Sequence, residues 1–289
     1  MKQSLRKAVA LFNFSDQLYI YIAVFCFKIK RQAPAKAAAL FQNCNEYVRL
    51  IEHGVSFVNC SNDLVKASLT INQQHTTVFL RKHSSDLQVF ESVIQHGEYK
   101  IVTEKVKNCN IIVDAGGNIG LTTVYLHAYY PNARFVIIEP DKNNFSLLQK
   151  NLEHNNIGNV KLFNKALWVS NEKLMISHSF RDGKEWSLTV EKANGAPQNG
   201  NDFLEGISLK EICATSSIEM IDLLKIDIEG AERFLYQSDD FLQAIEHCSR
   251  NLVIEIHDEF NIREMINHTM RNIGFSATEA GDITLFVRK

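Results

Sequence analysis

No two of the six cysteines (Cys26, Cys44, Cys60, Cys109, Cys213 and Cys248) form a CxxC pair, and none stands at zinc-ligand spacing from a histidine. That excludes a zinc finger or ribbon and a dithiol redox motif. Scattered thiols of this kind read as reduced and mostly buried, which favours a reducing compartment such as cytoplasm. The chain as a whole also lacks charge of one sign: 31 basic residues face 33 acidic ones, for a net charge of −2. There is no basic stripe, so the balance gives no footprint for nucleic acid or for an anionic membrane. No internal repeat is present. No apolar run reaches the roughly twenty residues that a membrane-spanning helix needs.

The longest such run, "LYIYIAVFCF" (Leu18–Phe27), stops at half that length. Lys2, Arg6 and Lys7 precede it, Lys28, Lys30 and Arg31 follow it, and no small-residue cleavage site comes after. It is therefore expected to be neither a transmembrane segment nor a signal peptide. The expectation is a helix packed on its own domain or on a second copy in a homodimer. A membrane-surface contact is the alternative, because basic flanks beside an apolar face would support it.

Two nucleotide-binding signatures are missing as well. With Gly116 as the first glycine of a GxGxxG motif, the second position is Asn118 and the third Leu121, so the dinucleotide fingerprint fails. No Lys-Ser/Thr pair follows, so a P-loop fails too.

What is present is an ordinary globular balance, 45% hydrophobic and 22% charged, in 289 residues. That suits one large domain or a main domain with an extension. Residues 1–55 read as helical, with "KAAALFQNCNEYVRLI" at helix periodicity. "LVKASLTI" and "TTVFLR" with Asn72–Gln74 between them read as a hairpin. Ser84 or Ser85 is expected to cap a helix through "DLQVFESVIQ" that stops near Gly97. The domain boundary is placed at residue 80, giving an extension 1–80 and a main domain 81–289.

From residue 111 strands and helices alternate: "IIVDAGG", "LTTVYLHAYY", "RFVIIEP", "NNFSLLQKNLEHN", "VKLFNKALWV", "MIDLLKIDIEG", "AERFLYQ", "NLVIEIH", "IREMINHTMRNIG" and "ITLFVRK". Apolar strands alternating with helices predict an α/β fold with a buried, mostly parallel sheet and helices on both faces. "EKLMISHS" and "EWSLTV" read as an inserted hairpin, and "ANGAPQNGND" (193–202) as a loop able to act as a lid.

Asp114 closes the first of these strands and is followed by Gly116, Asn118 and Gly120 at the opening of a helix. A carboxylate there suits an amine-bearing ligand, and the next strand ends in Glu139, where such folds bond a ribose diol. An amine recogniser with a ribose recogniser and no phosphate machinery describes S-adenosylmethionine. Two further strand ends carry ionisable groups spaced by two, which side-chain alternation aims the same way: Asp227 and Glu229 on one, Glu255 and His257 on its neighbour. Ligands of open α/β sheets bind beyond these carboxyl ends. Asp227 or His257 is the candidate general base, with Lys225 or Glu229 orienting it; His257 titrates nearest neutrality. Asp227, Glu229, Glu255 and His257 also offer a donor set for Mg²⁺ or Mn²⁺. Trp168 and Trp186 could stack on adenine or a sugar, although packing is the commoner role of a tryptophan.

"VDAGGNIG", "IEPDKNNFSLLQKNLEHNN", "IDLLKIDIEGAE" and "VIEIH", preceded by "SSDLQVFESVIQHGEY", resemble the FkbM-type family of S-adenosylmethionine-dependent methyltransferases in their order. The likeness covers residues 78–289, with Asp86 and Tyr99 in its upstream part. The resemblance implies a Rossmann-like class I methyltransferase core, a seven-stranded sheet whose last strand is antiparallel. It implies that Asp114, Gly116, Asn118 and Gly120 hold the methionine part of the cofactor and Glu139 the ribose. Asp141 and the stretch Asn164–Leu167, Ala166 included, would lie near adenine. It also implies O-methylation of a sugar, glycolipid or secondary metabolite, a small-molecule or glycan acceptor. Gly117 stands where alanine is usual in the family, an exchange expected to be harmless.

Overall fold

The computed structural model describes residues 3–61, 63–177, 189–192, 203–228 and 230–289. Its contacts divide into two compact units, residues 1–91 and 92–289, where the sequence reading put the boundary at residue 80.

The first unit begins with three helices, α1 (Gln3–Val9), α2 (Phe14–Lys28) and α3 (Ala35–Glu52). Asn13 caps α2 by accepting the Asp16 N–H at 2.9 Å. The expected hairpin is part of a three-stranded antiparallel sheet, β1 (Ser56–Asn59), β2 (Leu64–Ile71) and β3 (Gln74–Arg81). Its two-residue turn, Asn72-Gln73, has both φ angles positive (44° and 66°), the geometry whose twist matches that of paired strands. The helix expected to stop near Gly97 is present, in two parts: α4 (Asp86–Phe90) passes into a π-helical turn over Glu91–His96. Ser84 accepts the Asp86 N–H, and Asp86 takes a two-pronged ion pair from Arg81 at 2.7 and 2.9 Å.

The second unit opens with α5 (Lys100–Lys105) and then the alternating array: β4 (Ile111–Ala115), α6 (Leu121–Tyr129), β5 (Arg134–Ile138), α7 (Lys142–His154), β6 (Val160–Phe163). A smaller sheet follows, from β7 (Ala166–Leu167), β8 (Lys173–Ser177), β9 (Thr189–Lys192) and β10 (Phe203–Ile207) in the order β7-β10-β8-β9. β8 and β9 pair antiparallel, as the inserted hairpin requires. Most of "EWSLTV", Trp186 included, lies outside the described residues, as do residues 193–202. The array resumes with α8 (Leu209–Ser216), β11 (Leu223–Ile226), α9 (Glu232–Leu235), α10 (Asp239–Cys248), β12 (Asn251–Glu255), α11 (Arg263–Asn272), β13 (Phe275–Ala280) and β14 (Ile283–Arg288).

The large sheet has seven strands in the order β13-β14-β12-β11-β4-β5-β6. β12, β11, β4, β5 and β6 are parallel, and β14 runs antiparallel to both its neighbours. The fold is therefore the expected one. Strand alternation splits its apolar side chains between two faces. Val113, Ala115, Val136, Ile138, Leu224, Ile226, Leu252 and Ile254 form one cluster with side chains of α8, α10 and α11. The chain leaves β4 for β5 and β6 on one side, then returns to β11 on the other. β4 is thus the switch point of the sheet, and ligands of open α/β sheets bind beyond the carboxyl end of such a strand.

Candidate active site

The turn after β4 is shaped by the chain's own packing. Gly116 has φ +83°, and a Cβ placed on it would lie 1.7 Å from the Asp227 carbonyl oxygen. The Asp227 N–H in turn bonds the Ala115 carbonyl at 3.1 Å. This glycine therefore serves the close approach of two strand ends. Gly117 suits its surroundings: an alanine Cβ there would lie 2.4 Å from Cγ2 of Ile137 and 2.8 Å from Cδ1 of Leu148. The family's usual residue would not fit without repacking, because a β-branched methyl fixed in a strand cannot swing aside. Asn118 continues the turn with φ +46°, and Gly120 opens α6 with φ +86°.

Asp114 has a charged partner inside the chain. Its carboxylate is fully buried, and the ammonium it meets comes from within the chain. Parallel pairing sets Asp114 directly opposite Lys225, hence on the same face of the sheet. Lys225 Nζ stands 3.2 Å from Asp114 Oδ1, and Thr123 donates to Oδ2 at 2.7 Å. Lys225, itself 1% exposed, further donates to the Gly116 carbonyl at 2.6 Å and stands 3.5 Å from Asp227 Oδ2. Burial alone would push its pKa down, yet Asp114 and Asp227 more than reverse this and hold it raised. The expected orienting role toward Asp227 thus comes with a structural one, joining two strand ends and the turn.

Glu139, just past β5, is 5% exposed. It accepts the Asn118 N–H at 2.7 Å and the Asp141 N–H at 2.8 Å, one on each oxygen. Burial pushes its carboxyl up to about 7, against the pull of those two donors. Each oxygen retains a lone pair for a further donor such as a sugar hydroxyl. Asp141 caps α7, accepting the N–H groups of Asn143 and Asn144 at 2.9 and 2.8 Å. Asn164 donates to the carbonyls of Glu139 and Pro140 at 2.9 and 3.0 Å, so it fixes the Glu139 loop. Ala166 is buried in a small cluster with Trp168. Trp168 is 1% exposed, bonded to Glu172 and packed on Phe234, which makes it a core residue.

The Glu139 carboxyl yields a pH prediction. Its ordinary pKa of 4.5 is raised in the folded chain, so folding takes up a proton between pH 4.5 and about 7. This group's contribution to stability is full below pH 4.5 and is lost as pH rises to 7, by about 3 kcal/mol. Hydroxyl donors would favour the ionised form, so an adenosyl ligand should bind more tightly as pH rises through 7, releasing protons. Calorimetry in two buffers of different ionisation enthalpy reads that release. Proton release equal in wild type and Glu139→Gln would count against the assignment.

Beyond β11 and β12 three groups converge. One donor atom each from Asp227, Glu255 and His257 lie within 4.8 Å of one another. Asp227 and Glu255 keep about a quarter of their side-chain surface in solvent (25% and 26%), whereas His257 is 2% exposed. Glu229, expected beside them, lies outside the described residues. Glu232, the first residue of α9, was not singled out in the sequence. It is fully buried, accepts the Ile228 N–H at 3.1 Å, and stands 3.2 Å from His257 Nδ1. His257 Nε2 lies 3.9 Å from Glu255 Oε1. The Glu232 carboxylate thus stands on the Nδ1 side of the ring and Glu255 on the Nε2 side. Glu98 and Tyr99 feel the same cluster: burial raises both pKa values, and the charge of Asp227 raises them further. Asp86, paired with Arg81, belongs to the first unit.

A sheet of this order with acids and a glycine turn beyond its switch point defines a Rossmann-like class I methyltransferase. The model of the FkbM methyltransferase domain matches residues 114–282, more than half of the chain, and the chain belongs to that family. It is 28% identical over 195 residues to methyltransferase sdnD of Sordaria araneosa, covering 58% of this chain and 74% of that one. It is 25% identical over 166 residues to methyltransferase 1 of Beauveria bassiana, covering 52% and 65%. Among solved structures it resembles magnesium protoporphyrin IX methyltransferase of Synechocystis with bound SAM, at TM-score 0.40 and 13% identity over 72% of this chain and 83% of that one.

Proposed function

We infer that the chain is an S-adenosylmethionine-dependent O-methyltransferase whose acceptor is a hydroxyl of a sugar, glycolipid or secondary metabolite. The observation that carries this is the convergence of Asp227, Glu255 and His257 beside the Gly116 turn, with Glu139 at the next strand end. The donor set fits the cofactor. Glu139 supplies acceptors for ribose hydroxyls, and the acids at the tips of β11 and β12 suit a sulfonium and an amine. When bound, the cofactor supplies an activated methyl group on a good leaving group.

What remains for the protein is to align the acceptor and remove its proton. Alignment can be worth about 7–11 kcal/mol. His257 Nε2 takes the hydroxyl proton, with Glu232 holding the ring and stabilising the imidazolium that forms. Asp227, held by Lys225, orients the hydroxyl or takes the proton itself. Supporting a neutral acceptor, the chain has no basic stripe for RNA.

A second reading adds a metal, since Asp227, Glu255 and His257 are spaced as ligands of one Mg²⁺ or Mn²⁺ would be. It would lower the hydroxyl's pKa, and activity that survives chelation removes it.

The test is calorimetry with S-adenosylmethionine, followed by transfer of labelled methyl to sugars, glycolipids and hydroxylated polyketides. Binding in the micromolar range and a product stable to mild base, as a methyl ether is, are expected. No binding at high micromolar concentration would end this reading. A base-labile product would mean a methyl ester and hence a carboxyl acceptor, such as one on a protein.

A further inference from the structure

Helix α2 is apolar on two sides. Ile20 and Ala23 are buried, while Phe14, Leu18, Tyr21 and Phe25 are 86%, 57%, 44% and 62% exposed. Their spacing of four, three and four residues lines them along one face. Ile29 at the C-cap, 45% exposed, extends the row, while Phe27, 78% exposed, lies on the other side of the helix with Ile20 and Ala23. A helix hydrophobic all round is ordinarily covered all round. Contiguous apolar surface of this kind marks an interaction site.

Charge decides what covers it. Residues 1–36 hold seven basic residues and one acid, Asp16, in a chain whose net charge is −2. Arg6, Lys7, Lys28, Lys30, Arg31 and Lys36 are all exposed. Asp16 is held by the Asn13 amide at 2.8 Å. On that other side, a groove of about 260 Å³ lined by Ala23, Phe27, Ala38 and Phe41 has Arg31 among its walls. A second copy on this face would bring two such basic segments into one interface. An anionic bilayer would instead pair with each of them. At 15 residues the helix is about 22 Å long, and no helix among the described residues is long and apolar enough to cross a membrane.

We propose that α2 lies in the surface of an anionic membrane, its Phe14–Leu18–Tyr21–Phe25 row among the acyl chains and Lys28, Lys30 and Arg31 at the headgroups. The surface thereby holds the methyltransferase domain beside lipid-borne acceptors.

The experiment is co-sedimentation of the full chain with phosphatidylcholine vesicles, with and without phosphatidylserine, alongside sedimentation equilibrium without lipid. The chain is expected to pellet with the anionic vesicles and to be released by high salt. Phe14→Ser with Phe25→Ser should weaken partition about a hundredfold, on the order of tenfold for each ring withdrawn. Lys28→Ala, Lys30→Ala and Arg31→Ala should each weaken it about fivefold, on anionic vesicles only. Both sets should leave S-adenosylmethionine affinity unchanged. A wild-type chain that stays in the supernatant with both lipids overturns the proposal. So does a dimer that Phe14→Ser and Phe25→Ser dissociate in a chain that ignores vesicles, because the row would then be a protein interface.

Discussion

Lys225→Met is expected to destabilise the methyltransferase domain by about 3–5 kcal/mol, the usual result of removing one partner from a buried ion pair. The cause is the company Lys225 keeps. Its ammonium lies 3.2 Å from the fully buried Asp114 carboxylate and donates to the Gly116 carbonyl at 2.6 Å. Methionine fills much of the same volume but leaves that carboxylate to Thr123 alone. An ordinary domain has only about 5–15 kcal/mol to lose. A fall in melting temperature of about 6–20 °C should follow. S-adenosylmethionine affinity should fall as well, since the ammonium ties the glycine turn to the end of β11. Adding Asp114→Asn should recover part of the stability, because a neutral amide no longer needs a counter-charge. A single variant that melts with wild type, or a double variant no better than the single, would show that the pair does not hold the strands together.

That pair marks the limit of what the sequence made legible. The strands β4, β5, β11 and β12 could be read because buried parallel strands are nearly continuous apolar runs. Glycines and acids mark where they stop. Lys225 inside "LLKIDI" is a charge in such a run, which signals a buried partner without naming it. The partner follows only from register, which sets Asp114 across from Lys225. Asp114, read alone, gives no sign of that pairing.

Gly116 was read as a place for ligand approach, and the reason it must be glycine proved to be the carbonyl of Asp227, over a hundred positions away. Helices α8 and α10 were missed although Ser208 and Ser238 cap them. α10 follows α9 so closely that the two read as one, and α8 is only eight residues long. Glu232 went unnoticed for a related reason. An acid in the first turn of a helix ordinarily favours its positive end and faces water. Nothing local shows that this one is buried against His257.

The position of Glu232 shapes the second large effect. His257→Asn is expected to lower kcat by about 10²–10⁴-fold while leaving S-adenosylmethionine affinity within a factor of about two. Asparagine places an amide nitrogen near the position of the imidazole Nδ1, so Glu232 keeps a donor and does not become an unpaired buried charge. What is lost is Nε2, the atom on the side of Glu255. Asp227→Asn tests the other candidate with equal economy, since it keeps the shape of the side chain and removes only its charge. If His257 is the base, its variant should show the larger loss. If Asp227 takes the proton, the order reverses. In either case KM for the acceptor should move less than kcat, because the proton is transferred in the transition state and not on binding. Two variants that both turn over at the wild-type rate would remove this cluster from the chemistry, and the convergence beyond β11 and β12 would have to be explained by stability alone.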